Sequence, residues 1–231
     1  MISYSIISST FAEAELLLGM MSGKKEIVVQ GKSFNRGRLK ASDIVLCICG
    51  VGKTNAAHGT SLLFEHFKPS QVYVLGVAGA YPSSGLNIGD IAVADKEIYG
   101  DEGLLLGSGF KTMDALGLPL ATSNGVNYYN EFPLYVPSEL ALHRHKGAFV
   151  TVSSCTGMRR QGLEIERKFG AICENMEGAS VAHICLQNSV RATEVRSISN
   201  IIEDRANGPL DRAVIRTAAE NIQQFFLDIV A

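Results

Sequence analysis

The segment Cys173-Glu174-Asn175-Met176-Glu177-Gly178-Ala179-Ser180-Val181-Ala182 concentrates groups that could do chemistry. An apolar run from Phe169 to Cys173, broken only by Gly170, stops at a polar group and gives way to a helix of small residues. Gly178, Ala179, Ser180 and Ala182 let that helix lie close to a neighbour. Glu177 is then held rigidly and points into the cleft beyond a strand end, where open α/β sheets bind ligands. A plainer reading is that the helix macrodipole favours an anion at this N-terminus. Three other predicted strand ends carry glycine or polar residues suited to a ligand. They are Ser8-Ser9-Thr10-Phe11-Ala12-Glu13, Gly76-Val77-Ala78-Gly79-Ala80 and Arg196-Ser197-Ile198-Ser199-Asn200. The first and the last have plain alternatives: Thr10 to Glu13 fits a capping box, Asn200 fits a turn after a strand, and Arg196 could serve a structural ion pair.

Other chemistries fail on spacing. Gly52-Lys53-Thr54 invites a phosphate-loop reading, but that motif needs glycine where Cys47 stands. Gly50-Val51-Gly52 starts a dinucleotide fingerprint whose third glycine is replaced by Asn55. Neither GxSxG nor HExxH occurs, and the five histidines are scattered without metal-site spacing, so no metal is expected. Five cysteines without CxxC spacing suit core packing in a reducing compartment. Cys47 and Cys49, two apart in an apolar run, should share one strand face. A net charge of −2 without a basic stripe argues against nucleic acid. No apolar run approaches the length of a membrane span and no secretory leader is evident, so a cytoplasmic protein without membrane contact is expected.

The elements that must position these residues alternate. Strands are predicted at Ile2–Ser8, Ile27–Gln30, Ser33–Lys40, Asp43–Cys49, Gln71–Leu75, Ile88–Tyr99, Ala148–Ser154, the run into Asn175, and Thr193–Ser199. Helices are predicted at Phe11–Met21, Lys53–Phe67, Ser138–Arg144, Arg159–Phe169, Gly178–Gln187 and Pro209–Val230. Residues 100–137 are irregular, with a short helix near Lys111–Leu116. A stretch that long is more often functional or interfacial than idle. With 46% hydrophobic residues the chain can bury a large core. An α/β fold over residues 1–231 follows, one domain with a central mixed, twisted sheet covered by helices on both faces.

Gly50-Val51-Gly52-Lys53-Thr54-Asn55-Ala56-Ala57, then Gly76-Val77-Ala78-Gly79 with Gly89-Asp90, then Asn175-Met176-Glu177-Gly178-Ala179, together resemble the purine nucleoside phosphorylase and nucleosidase superfamily. The likeness runs in order over nearly the whole chain. Within the superfamily, three phrases resemble the futalosine hydrolases of menaquinone biosynthesis. These are Gly79-Ala80-Tyr81-Pro82 with Ser84-Gly85-Leu86, Tyr99-Gly100-Asp101-Glu102-Gly103, and Glu174-Asn175-Met176-Glu177-Gly178. The resemblance implies hydrolysis of futalosine to hypoxanthine and dehypoxanthine futalosine, with neither metal nor organic cofactor.

It also implies roles. Glu177 binds the ribose hydroxyls and Met176 packs on the sugar, while Glu13 orients and deprotonates the attacking water. Ala78 and Gly79 approach the ribose or base, and Asn175 is a further sugar or base contact, although a related nucleosidase has glutamate there. Thr156, in the turn Ser153 to Gly157, edges the base, and Arg196 stands behind the site. Phosphorylases of the superfamily hold phosphate with an arginine in the first loop. Residues 8–18 contain no Lys or Arg, which favours water as the acceptor. Adenine-cleaving relatives usually carry aspartate where Asn200 stands. An amide, oriented by Ser199, suits the N7 and O6 acceptors of a 6-oxopurine, and would oppose the exocyclic amine of adenine. The alternatives are a methylthioadenosine/adenosylhomocysteine nucleosidase, a phosphorylase, and a non-catalytic nucleoside binder. In relatives the stretch 100–137, here with Phe110 and Pro119, covers a neighbour's site, so a homo-oligomer is expected.

Overall fold

The computed structural model describes residues 2–107, 109–205 and 211–229. In chain order it has β1 (Tyr4–Ser8), α1 (Glu15–Met20), β2 (Ser22–Val29), β3 (Lys32–Leu39), β4 (Ser42–Ile48), α2 (Lys53–Phe67), β5 (Gln71–Ala80) and β6 (Ile91–Tyr99). Short pieces follow: β7 (Gly103–Leu106), β8 (Gly109–Thr112), β9 (Ala121–Ser123), β10 (Val126–Tyr128) and β11 (Glu131–Pro133). After a 3-10 turn at Ser138–Leu140 come β12 (Lys146–Thr151), α3 (Arg159–Phe169), β13 (Ala171–Asn175), α4 (Gly178–Gln187), β14 (Arg191–Ile201) and α5 (Arg212–Ile229).

The period of two in the central strands sorts side chains between two cores. In β1, Ile6 packs with Leu17, Ile222 and Phe226 beneath α1 and α5, while Ile7 packs with Ala56, Leu63 and Val181 beneath α2 and α4. In β4, Leu46 joins the first core and Cys47 the second, where Cys49 also lies, so the two cysteines share a face as expected. All five cysteines are free. Helix α3 covers β13, with Ile165 and Phe169 against Ala148, Val150 and Ala171.

The large sheet runs β11-β6-β12-β13-β5-β1-β4-β3-β2, with β14 pairing both β5 and β6. That double pairing closes β6, β12, β13, β5 and β14 into a ring, so the mixed sheet is barrel-like on one side and open on the other. The closure was not visible in the order of elements.

Several expected boundaries shift. The strand predicted to stop at Leu75 runs on to Ala80, because β14 pairs with it as far as Ile201. The helix expected from Phe11 starts at Glu15, since residues 9–14 form a turn tied down by side chains. Lys111–Leu116 is not helical: residues 109–112 belong to a hairpin with β7 and residues 113–117 form a turn. Six residues are too few to sustain a helix without packing. Ser138–Arg144 shortens to the 3-10 turn. The predicted ends Pro209 and Val230 of the last helix lie outside the described residues. No described helix is long and apolar enough to cross a membrane.

Candidate active site

The C-terminal half of β5 organises the site. Val77 donates its N–H to Glu13 Oε1 at 3.0 Å, while Thr10 donates both its N–H and its hydroxyl to Glu13 Oε2, each at 2.9 Å. The reach from Glu13 back to the Thr10 N–H is half of a capping box. The other half is absent: α1 begins two residues later, after Ala14, with no side-chain cap. The carboxylate therefore ties the first loop to β5. It is only 4% exposed. Burial pushes its pKa above that of an ordinary glutamate, against the opposing pull of the Arg196 charge and the Val77 N–H.

Arg196 lies opposite Gly76 in the β14–β5 register, is 1% exposed, and links the acidic groups. Its Nε donates to Glu194 Oε1 at 2.8 Å, and its Nη1 to the Val77 carbonyl at 3.2 Å and Glu177 Oε2 at 3.5 Å. Its Nη2 donates to Asn175 Oδ1 at 3.3 Å. These carboxylates raise its pKa against the cost of burial, so the guanidinium stays charged. Gly76 makes this possible, because a Cβ there would lie 2.6 Å from both Arg196 Nη1 and Glu13 Oε1. Glu177 is 4% exposed and takes the Gly52 N–H on Oε1 at 2.9 Å. Gly52 has φ +96°, so the Gly50-Val51-Gly52 turn that starts a dinucleotide fingerprint aims an N–H at a carboxylate.

Two residues further along β5, the register of β14 slips between Ile198 and Asn200, setting Asn200 opposite Gly79. Such a bulge re-aims side chains. Ser199 Oγ lies 3.0 Å from Asn200 Oδ1 and 3.2 Å from the Ala78 carbonyl; given to the nearer oxygen, its single proton orients the amide and leaves the amide NH₂ as a donor. A Cβ on Gly79 would meet Asn200 Nδ2 at 2.9 Å. Asn200 lies within β14, which removes the turn reading. Val77 and Gly79 are about 7 Å apart at the strand rise. Glu13, Glu177, Arg196 and Asn200, together with Ser199, thus converge on one short length of β5.

Other expected contacts go elsewhere. Asn175 was expected to touch the ligand, but its amide is spent inside the protein. Oδ1 takes the N–H groups of Glu177 at 2.9 Å and Gly178 at 2.7 Å, capping α4, and Nδ2 donates to Glu97. Thr156 gives its N–H and hydroxyl to Glu174, both at 2.7 Å, with Tyr81 OH on the same carboxylate at 3.3 Å. Thr156 is therefore pinned beside the site with its N–H already used. Met176 Sδ lies 3.6 Å from Cys155 Sγ, which brings the 153–157 turn against the residue expected to pack on the sugar. A cavity of about 600 Å³ borders Ser154 and Thr156, with Asp101, Phe110 and Lys168 across it, so part of the 100–137 stretch folds onto its own chain.

Glu97, Glu194 and Gly52 were not expected among the site residues, and Glu174 and Gly76 were given no role of their own. Glu97 and Glu194 did leave a signal, as charged residues inside otherwise apolar strands. Glu194 and Arg196, two apart in β14, must share a face.

A 5'-methylthioadenosine/S-adenosylhomocysteine nucleosidase from Oceanobacillus iheyensis is 27% identical, over 97% of each chain. A futalosine hydrolase from Thermus thermophilus is 32% identical, over 79% of this chain and 84% of its own. The solved structure of the 5'-methylthioadenosine/S-adenosylhomocysteine nucleosidase from Neisseria meningitidis, in complex with methylthio-immucillin-A, superposes with a TM-score of 0.82 at 23% identity, covering 100% and 99% of the two chains. That likeness bears out the α/β fold with a central mixed sheet flanked by helices. Residues 5–231 match the model of the phosphorylase superfamily, and the chain belongs to that superfamily.

Proposed function

We propose that the chain is a purine nucleosidase that hydrolyses the N-glycosidic bond of a 6-oxopurine nucleoside, with futalosine as the leading substrate. Glu13 accepts the proton of a water that adds to C1′ as the C1′–N9 bond breaks. The sugar gains a hydroxyl, and the purine leaves with the bonding electrons and takes up a proton. Charge separation in the transition state sets the remaining requirements. Glu177 supplies negative charge beside the cationic sugar and accepts its hydroxyl hydrogen bonds. Met176 adds polarisable contact to the sugar without competing for protons. Asn200 donates its amide to the departing purine as negative charge reaches the N7 and O6 edge.

The observation that carries the 6-oxopurine reading is the Ser199–Asn200 contact, which leaves the amide a donor. The absence of Lys and Arg from residues 8–18 supports water over phosphate.

A second reading has its own support. The name 5'-methylthioadenosine/S-adenosylhomocysteine nucleosidase, borne by the Oceanobacillus relative and the Neisseria structure, favours adenine release from methylthioadenosine. Incubation with futalosine, inosine and methylthioadenosine, with and without phosphate, followed by chromatography of the free base, separates the two. Hypoxanthine from futalosine without phosphate is expected. Adenine from methylthioadenosine as the faster product would reverse the assignment.

A further inference from the structure

Behind Glu177, on the far side of the α4 N-terminus, two carboxyl groups are fully buried. Glu97 comes from β6 and Glu194 from β14, and both are 0% exposed. They meet beneath Gly178, where a Cβ would collide at once with Glu97 Oε1 and Glu194 Oε2. Two carboxylates converging on one point in a dry interior cannot both keep a charge.

The hydrogen bonds assign the proton. Glu194 Oε1 is satisfied by Arg196 Nε at 2.8 Å, but among the described residues Glu194 Oε2 is buried without any N–H or hydroxyl partner. A proton on Glu97, whose Oε1 meets the same point above Gly178 as Glu194 Oε2, supplies the missing donor. Glu97 has no cation of its own. It is held by neutral groups: Asn175 Nδ2, the Thr151 hydroxyl at 2.8 Å and the Ile98 N–H at 3.2 Å. Burial first, then the Glu194 charge, pushes its carboxyl well above the usual range.

We propose that Glu97 is held as a neutral acid donating to ionised Glu194, and that this pair positions the catalytic centre through Arg196 and Asn175. Glu97 receives the Asn175 amide, whose other end caps the Glu177 and Gly178 N–H groups. Glu194, kept ionised, holds Arg196 at 2.8 Å, against 3.5 Å from Arg196 to Glu177. The guanidinium charge is thereby spent chiefly on Glu194, and Glu177 keeps its negative charge for the cationic sugar. This last consequence rests on the nucleosidase reading, whereas the shared proton does not.

The test begins without substrate. Glu97→Gln removes one carboxyl, and the infrared difference spectrum against the wild-type chain at neutral pH reports which form was removed. Loss of a protonated-carboxyl stretch with no loss of carboxylate stretch is expected; loss of carboxylate stretch overturns the proposal. Should Glu97→Gln not fold, the wild-type spectrum still decides, because absence of any protonated-carboxyl band contradicts a neutral Glu97. The two partners are also unequal. With hydrolysis established, Glu97→Gln, a neutral donor for a neutral donor, should lower kcat less than about 10-fold. Glu194→Gln releases Arg196 onto Glu177 and should lower kcat by about 10²-fold with KM little changed. The opposite ranking would overturn the assignment of the proton. Failure of turnover in the wild-type chain itself would count against the nucleosidase reading and leave the spectral result standing.

Discussion

Replacing Gly76 with alanine tests whether the charged groups around β5 form one interlocked unit. The added Cβ would sit 2.6 Å from Arg196 Nη1 and 2.6 Å from Glu13 Oε1. A relaxed contact needs about 3.5 Å, so each group must retreat by roughly 1 Å. Neither has room. Arg196 is fixed by Glu194, Val77 and Asn175, and Glu13 by Val77 and Thr10. Overpacking of this kind costs about 1–3 kcal/mol, and losing the Val77 N–H bond to the charged carboxylate about 1.5–3 kcal/mol more. For a chain of this length those sums correspond to a melting temperature lower by about 10 °C. A general base misplaced by about 1 Å costs about 10²-fold in turnover. Gly79→Ala is the control. Its Cβ would meet Asn200 Nδ2 at 2.9 Å, the end of a half-buried side chain that can swing aside. It should disturb base recognition while leaving the melting temperature within about 3 °C. Calorimetry and steady-state rates on both variants decide the matter. A Gly76→Ala protein with wild-type kcat and melting temperature would refute the idea that Glu13 and Arg196 are packed against that backbone.

Two further outcomes follow from named groups. Glu13→Gln should abolish turnover while leaving ligand binding largely intact, measured by single-turnover rates beside equilibrium titration. The raised pKa of Glu13 means that it takes up a proton at a higher pH than an ordinary glutamate. Activity should therefore be present above that pKa and fall as pH drops through it, so kcat/KM should show an acid limb above the usual carboxylate range, and that limb should be missing from the residual activity of the variant. Asn200→Asp should lower hypoxanthine release by about 10-fold or more, the loss of one hydrogen bond to a charged leaving group, and wild-type rates would show the amide to be idle.

The α/β alternation was legible in the sequence, and helices Lys53–Phe67, Arg159–Phe169 and Gly178–Gln187 stand where they were expected. Glu13, Glu177, Arg196 and Asn200 were legible as polar residues at predicted strand ends. What stayed hidden depends on long-range closure. Nothing local states that β14 pairs with β6 as well as β5, yet that ring carries Glu97 toward Glu194. Asn175 misled because it adjoins the candidate residues Met176 and Glu177: an asparagine there reads as a ligand contact, whereas the buried N–H groups at the start of α4, which lack helical partners, claim it. The helix predicted at Lys111–Leu116 failed because its first residues pair with β7. The Thr10–Glu13 pattern was right about the bond and silent about Val77, which lies 64 residues away.

The acceptor is the most direct point of decision, because the proposed role of Glu13 as general base requires that water attack the sugar. Futalosine should be incubated with the protein in ¹⁸O-labelled water free of phosphate, and the sugar product weighed by mass spectrometry. One ¹⁸O atom at C1′ per hypoxanthine released is the expected result. No turnover until phosphate is added, with a sugar 1-phosphate as product, would contradict it.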